Sequence, residues 1–263
     1  MLPILRIFGF SLQTPLLALI VLYALALWMV SRMATRAGID GGIISDAGFY
    51  AVLIGVAGAR VGYVLLNLEP YLREPLSALM PSATALNPIA GIVSGAGFGY
   101  VYIKRRNVLR PALLDALAYG MPFLLIGVAL ASYFSGDSFG TATQLPWSVY
   151  LWGAWRHPVQ LYECVALIVI FVSMYLTRKS AWPDGARLTL FVVLYGITRV
   201  FVDGFRADAT TLIGMRVTQL AGIVISATAI WLLGELLGSG LLARVDLTAS
   251  NANSSVDSDS AAL

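Results

Sequence analysis

Seven unbroken apolar stretches dominate this sequence of 263 residues, at about 12–31, 46–66, 86–103, 112–134, 159–177, 187–205 and 212–239. A helix needs about 20 apolar residues to cross about 30 Å of hydrocarbon, and each stretch is near that length. The runs are continuous and do not alternate, which argues against a transmembrane barrel. Charged residues make up only 12% of the chain, against about 25% in an ordinary soluble domain. That excludes disordered and fibrous proteins and nearly every water-soluble enzyme. The expected fold class is all-α: a polytopic membrane protein with seven transmembrane helices. The first stretch lacks a basic head and a small-residue cleavage site, so it reads as a permanent helix.

Orientation follows from where the basic residues fall. Arg32, Arg36, Lys104, Arg105, Arg106, Arg110, Arg178, Lys179, Arg187 and Arg244 lie on one side of the expected spans. Arg6, Arg73, Arg156, Arg206 and Arg216 lie on the other. Ten against five predicts an outside N-terminus and a cytoplasmic C-terminus. Residues 1–245 read as one transmembrane domain, and 246–263, with almost nothing to bury, as a disordered cytoplasmic tail. The net charge of +3 is too mild to point to nucleic acid. One cysteine, Cys164, allows no intrachain disulfide and reads as a small core hydrophobe. With one histidine, His157, a multi-histidine metal site is excluded, and neither a metal nor any other cofactor is expected.

Polar groups within spans are costly and default to functional hypotheses. Arg60 and Tyr63 share a helix face, and Gly58 and Gly62 allow close approach there. In the sixth span Tyr195, Arg199, Asp203 and Arg206 fall within an arc of about 80° at 100° per residue. Asp203 is placed to pair with either arginine. One acid between two arginines leaves a positive stripe suited to a phosphate head group, which guanidinium holds in a fork. The competing reading is a structural ion-pair ladder. A third cluster opens the fifth span: Arg156, His157, Pro158, Gln160, Tyr162 and Glu163. Proline suits the first helical position, and a carboxylate near the helix start is favoured by the dipole.

These residues carry a resemblance to the bacterial prolipoprotein diacylglyceryl transferases. Arg156-His-Pro-Val-Gln-Leu-Tyr-Glu163 resembles that family's Arg-His-Pro-Ser-Gln-Leu-Tyr-Glu signature. Gly58-Ala-Arg-Val-Gly-Tyr-Val-Leu65 is similar to its Gly-Gly-Arg-Ile-Gly-Tyr-Val-Leu. Tyr195-Gly-Ile-Thr-Arg199, Asp203 and Arg206 follow its Tyr-Gly-x-x-Arg-x-x-x-Glu-x-x-Arg helix, with aspartate for glutamate. Asp115, Pro122, the Gly136–Gly140 loop and Leu145-Pro-Trp147 extend the match over about residues 10 to 240.

The resemblance implies an enzyme of the bacterial inner membrane. It would move a diacylglyceryl group from phosphatidylglycerol to the lipobox cysteine of a prolipoprotein signal peptide. The thiolate attacks the glyceryl carbon and glycerol phosphate leaves, so the chemistry asks for cations on the phosphate and a base for the thiol. By resemblance His157, Tyr195, Arg199 and Asp203 are the catalytic set. Arg60, Tyr63, Gly140, Gln160, Tyr162, Glu163 and Arg206 are the lipid- and substrate-binding set.

The chain also departs from the family's pattern. The family's Ser-Phe-His-Gly-Gly segment falls near Asn87–Gly91, where there is no histidine. Ala129 stands where its fourth-span arginine is expected, and Ser132 and Ser135 replace asparagines. Pro15-Leu16 stands where a Tyr-Gly is expected. Three readings follow: an enzyme with relocated groups, a relative using a different lipid, or a lipid-binding paralogue without catalysis. Outside the family, a small transporter ranks last, because the cytoplasmic halves of the spans offer little polarity beyond Asp115.

Overall fold

In the computed structural model the described residues are 4–7, 10–79, 85–207, 210–212 and 215–260, the side chains of 4–12, 79, 211–212 and 239–260 excepted. The chain divides into two compact units, residues 27–116, and residues 1–26 with 117–263.

The 27–116 unit holds the end of α1 (Thr14–Arg36), α2 (Gly41–Leu66), α3 (Leu68–Arg73), α4 (Pro88–Arg105) and the start of α5 (Pro111–Ser135). The chain turns after α1 at Gly38, where φ is 73° and a Cβ would be strained. Asp40 caps α2, its side chain accepting from Gly42 N at 2.8 Å. Asn87 caps α4 by accepting from Ala90 N at 2.9 Å, and its own N–H donates to Ala59 O of α2, also at 2.9 Å.

Lipid tails are as apolar as leucine, so helices in a membrane associate through close packing of small residues. α2 and α4 meet this way, Gly55, Gly58, Ala59 and Gly62 facing Ala90, Gly91, Ser94 and Gly95. A Cβ on Gly95 would lie 2.6 Å from Ala51 O.

The other unit begins with a hairpin of β1 (Ile4–Ile7) and β2 (Phe10–Gln13), Ile4 opposite Gln13. It continues with the first residues of α1 and most of α5, then a hairpin of β3 (Val149–Leu151) and β4 (Ala154–Arg156). There follow α6 (Val159–Leu176), α7 (Ala186–Val202), a short hairpin of β5 (Thr211–Leu212) and β6 (Met215–Arg216), and α8 (Val217–Ser260). α5 and α6 share an edge-on Phe123–Phe171 pair at 4.7 Å and a hydrogen bond from Tyr119 OH to Met174 O at 3.3 Å. Leu167 and Met174 of α6 are fully buried. α7 and α8 touch through Gly196, Gly222 and Ser226.

Each of the seven apolar stretches contains a helix, and among the described residues six of these helices are long and apolar enough to cross a membrane: Thr14–Arg36, Gly41–Leu66, Pro111–Ser135, Val159–Lys179, Ala186–Phe205 and Val217–Gly238. The seventh, α4, has 18 residues. Its hydropathy is diluted by Gly91 and Gly95, which let it approach α2, by Gly97 and Gly99, and by Lys104 and Arg105 at its end. Outward residues such as Ile92, Val93, Ile168, Val169, Phe201 and Trp231 are exposed. A chain this apolar on its outside is a multi-pass membrane protein. α8 carries its helical backbone past residue 245 to Ser260. After Gly240 no glycine or proline interrupts that polar stretch.

The α2–α4 contact is testable. Gly95→Val should overpack it and cost about 1–3 kcal/mol. The measurement is the thermal midpoint in detergent. An unchanged midpoint would contradict the close approach.

Candidate functional site

α6 and α7 lie side by side and bring their polar groups together. Tyr195 OH donates to Glu163 Oε1 at 3.1 Å, and Arg199 Nη1 donates to the same oxygen at 3.3 Å. Arg199 Nη2 is 2.8 Å from Asp203 Oδ1, and Arg206 Nη1 is 3.9 Å from it. The Asp203 side chain has no exposed surface. Oδ1 makes both ion pairs, and neither oxygen makes a well-directed hydrogen bond. A buried carboxylate in that state is stable only because guanidinium groups flank it.

The charge count changes a sequence expectation. Tyr195, Arg199, Asp203 and Arg206 alone read as a stripe with net positive charge. The structure adds Glu163 to Arg199, so two carboxylates balance two guanidiniums. The sequence treated Glu163 as part of a separate cluster because 36 residues separate it from Arg199. The stripe is also not one continuous α-helix. α7 ends at Val202, Asp203–Phe205 is a single 3-10 turn, and Arg206 is extended. The tighter turn still leaves Asp203 between the two arginines.

A cavity of about 140 Å³ opens onto these groups. Glu163, Tyr195, Arg199 and Arg206 line it with Gln160. Its other wall is α5, where Leu125, Val128, Ala129 and Ser132 present small or apolar surface. Ala129, at the position where the family resemblance expects arginine, is a lining residue. Ser138, Val159 and Val202 also line it. Gln160 is buried, and its Nε2 donates to Asp137 O at 2.6 Å, tying the start of α6 to the loop after α5.

That loop is built as a backbone ladder. Residues 139–143 run between β4 and the segment after α7. On one side Thr141 N donates to Phe205 O at 2.7 Å and Ala207 N to Phe139 O at 3.0 Å. On the other, His157 N donates to Thr141 O at 3.1 Å and Thr143 N to Trp155 O at 2.9 Å. Gly140 sits in the middle, bridged to Arg206, and a Cβ there would lie 2.7 Å from the His157 Cβ. Arg156 is structural in this setting: it donates to Leu151 O at 3.0 Å and Gly140 O at 3.2 Å, and lies 4.7 Å over the Phe139 ring.

His157 lies just before α6, with Pro158 as the N-cap residue, one place earlier than the first helical position expected. Its Nδ1 is 3.1 Å from Tyr162 OH, which also accepts from Trp147 Nε1 at 2.8 Å. The ring packs against Phe205 at 5.0 Å between centroids. Trp147 and Phe205 are therefore part of the site although sequence reasoning gave neither a role. The signal for Phe205 was present, since it lies between Asp203 and Arg206.

The structure thus brings together Gly140, His157, Gln160, Tyr162, Glu163, Tyr195, Arg199, Asp203 and Arg206 in one unit. Arg60 and Tyr63 belong to the 27–116 unit. There the Arg60 guanidinium is occupied by backbone: Nε donates to Ala78 O at 3.0 Å, Nη1 to Ala85 O at 3.1 Å and Nη2 to Ser77 O at 2.9 Å. It also faces the Tyr71 ring at 5.5 Å. Clamping the chain after α2 is the work these contacts describe.

Comparison with known proteins gives the family. A model of the family described as prolipoprotein diacylglyceryl transferase matches residues 3–234. The chain belongs to this family. Relatives named phosphatidylglycerol–prolipoprotein diacylglyceryl transferase include one from Clostridioides difficile, 28% identical over 222 residues, covering 84% of this chain and 85% of the relative. One from Thermotoga maritima is 28% identical over 239 residues, covering 84% and 80%. One from Brucella ovis is 32% identical over 174 residues, covering 62% and 61%.

The ladder generates a prediction. Gly140→Ala should force residues 139–143 away from His157, and limited proteolysis in detergent should then cut the 137–157 loop faster than in the wild type. An unchanged digestion pattern would show that the loop yields without opening.

Proposed function

We propose that this chain is a transferase of the bacterial inner membrane that moves a diacylglyceryl group from phosphatidylglycerol to the lipobox cysteine of prolipoproteins. The observation that carries the reading is the Arg199 guanidinium, held between Glu163 and Asp203 at a cavity inside a helical membrane unit. Membership of the family over nearly the whole chain supports it.

In this reading Arg199 takes the lipid phosphate. The Glu163 contact, at 3.3 Å the longer of the two carboxylate contacts, is the one the phosphate replaces. Asp203 holds the other edge of the fork, and Tyr195 keeps Glu163 in place. Arg206 adds a second cation. Gln160, Tyr162 and Gly140 shape the loop beside the head group. Arg60 acts by ordering the segment after α2, and Tyr63 on the same helix is a lipid contact. The attacking thiol loses its proton, a sulfur–carbon bond forms at the glyceryl carbon, and the carbon–oxygen bond to phosphate breaks. Glycerol phosphate carries away the electron pair. Two groups of this unit are able to take the thiol proton, the Glu163 carboxylate and the His157 imidazole.

The orientation proposed is seven spans, with α4 as the third, an outside N-terminus and a cytoplasmic C-terminus. Residues 1–245 act as one transmembrane domain, and 246–263 as a cytoplasmic tail. A reporter active only in the cytoplasm should be on when fused after Leu242 and off near Ser148. The reverse pattern at both points overturns the orientation.

Activity is tested with a lipobox peptide and phosphatidylglycerol vesicles. Arg199→Lys keeps the charge but loses the fork that holds Asp203 and a phosphate together. Losing one charge-assisted hydrogen bond, worth about 1.5–3 kcal/mol, should lower transfer about 10- to 100-fold. Full activity in Arg199→Lys would mark the cluster as a structural ladder. Ala129 in the cavity wall favours a second reading, a lipid-binding relative without catalysis. Phosphatidylglycerol binding with no transfer by the wild type would select it.

A further inference from the structure

We infer that Trp147 is a positioning residue: through Tyr162 it fixes the only imidazole of the chain, His157, in the tautomer that carries its proton on Nε2. The inference follows from what each group is able to donate. An indole N–H is a donor only. Trp147 Nε1, 2.8 Å from Tyr162 OH, therefore fills one lone pair of the phenol oxygen. The phenol's own hydrogen then needs an acceptor. Among the described residues the only other polar atom in hydrogen-bond contact with that hydroxyl is His157 Nδ1, at 3.1 Å. An oxygen that already accepts from the indole favours donating its own hydrogen, and the direction we assign is Trp147 N–H to Tyr162 O, and Tyr162 O–H to His157 Nδ1. A nitrogen that accepts a hydrogen bond carries no hydrogen of its own, so in the neutral ring the proton resides on Nε2.

Packing holds the ring in the pose this needs. The imidazole lies against Phe205 at 5.0 Å and edge-on to Tyr162 at 6.0 Å, and Tyr162 meets Phe205 at 6.0 Å. The His157 backbone is fixed from both sides, its N–H on Thr141 O and its carbonyl accepting from Val159 N at 2.9 Å. Trp147 is 58% exposed, so its indole is not held there by burial in a core. What it contributes to the cluster is a directed N–H.

The consequence for chemistry rests on the transferase reading. With Nδ1 occupied and Nε2 protonated, His157 offers a substrate a hydrogen-bond donor. Such a donor suits an oxygen gaining negative charge, as on a departing phosphate. The thiol proton then goes to the Glu163 carboxylate, the other acceptor of this unit.

One histidine makes the test unusually direct. The full-length protein, purified in detergent without a polyhistidine tag and with 15N-labelled histidine, gives imidazole signals from His157 alone. At a pH of about 8.5, above the ordinary imidazole range, the wild type should show a pyridine-like Nδ1 and a pyrrole-like Nε2. Trp147→Phe keeps the apolar surface and removes the N–H. With its oxygen no longer engaged by the indole, Tyr162 accepts from Nδ1–H as readily as it donates, and both nitrogens should move toward averaged shifts. Tyr162→Phe cuts the relay at its centre and should do the same. A wild-type ring protonated on Nδ1, or on both nitrogens, overturns the inference. So does Trp147→Phe with unchanged shifts, and if Tyr162→Phe alone alters them the relay ends at Tyr162. The reading is taken on the resting protein without substrate. Failure here leaves the transferase reading standing, and absence of transfer leaves the tautomer standing.

Discussion

A guanidinium within a membrane helix has to be neutralised where it lies, and much of the 117–263 region follows from that requirement. Arg199 is 2.8 Å from Asp203 in the turn that follows its own helix and 3.3 Å from Glu163 on the neighbouring one. The first contact comes from spacing along the chain. The second exists only if α6 lies beside α7 with Glu163 facing it. Away from bulk water, removing one partner from such a cluster leaves a stranded charge and costs far more than a surface pair is worth. The cluster therefore penalises other rotations of these two helices. Tyr195 adds to this by donating to the same Glu163 oxygen as Arg199.

The helical framework supports this cluster with little conventional core. Several residues of each span face outward as apolar surface for lipid. Contacts between helices rely on small residues, Gly55, Gly58 and Gly95 in one unit and Gly196 and Gly222 in the other. Such contacts gain from dispersion and backbone proximity more than from expulsion of water. The same glycines that allow α4 to meet α2 reduce its hydropathy.

The positions of all seven helices were legible in the sequence, because a hydrophobic span has few alternatives. The polar residues of α7 and the turn after it were legible as well, since periodicity places Tyr195, Arg199 and Asp203 on one face. Charge balance was not legible. It depends on Glu163 meeting Arg199 from another helix, and no local pattern announces a contact across 36 residues. Arg60 illustrates the converse. Its sequence setting suggested a cation for lipid, and three of its five N–H donors are held by carbonyls of the chain after α2. A backbone carbonyl leaves no mark in a sequence. Trp147, noticed only as part of a Leu-Pro-Trp match, and Phe205, not noticed at all, were given no role for a related reason: what an aromatic does in an apolar chain shows only when a polar partner is seen beside it.

The ladder through residues 139–143 has an evolutionary reading. It joins the start of α6 to the end of α7 through peptide groups, which every residue type except proline supplies in full. Apart from Gly140, where there is no room for a side chain, its hydrogen bonds make no demand on residue identity. Mutation can then revise Thr141, Ala142 and Thr143 while the distance between two membrane helices is inherited unchanged. A lineage adapting to new peptide partners would have there a surface to rewrite without disturbing the charges beneath it.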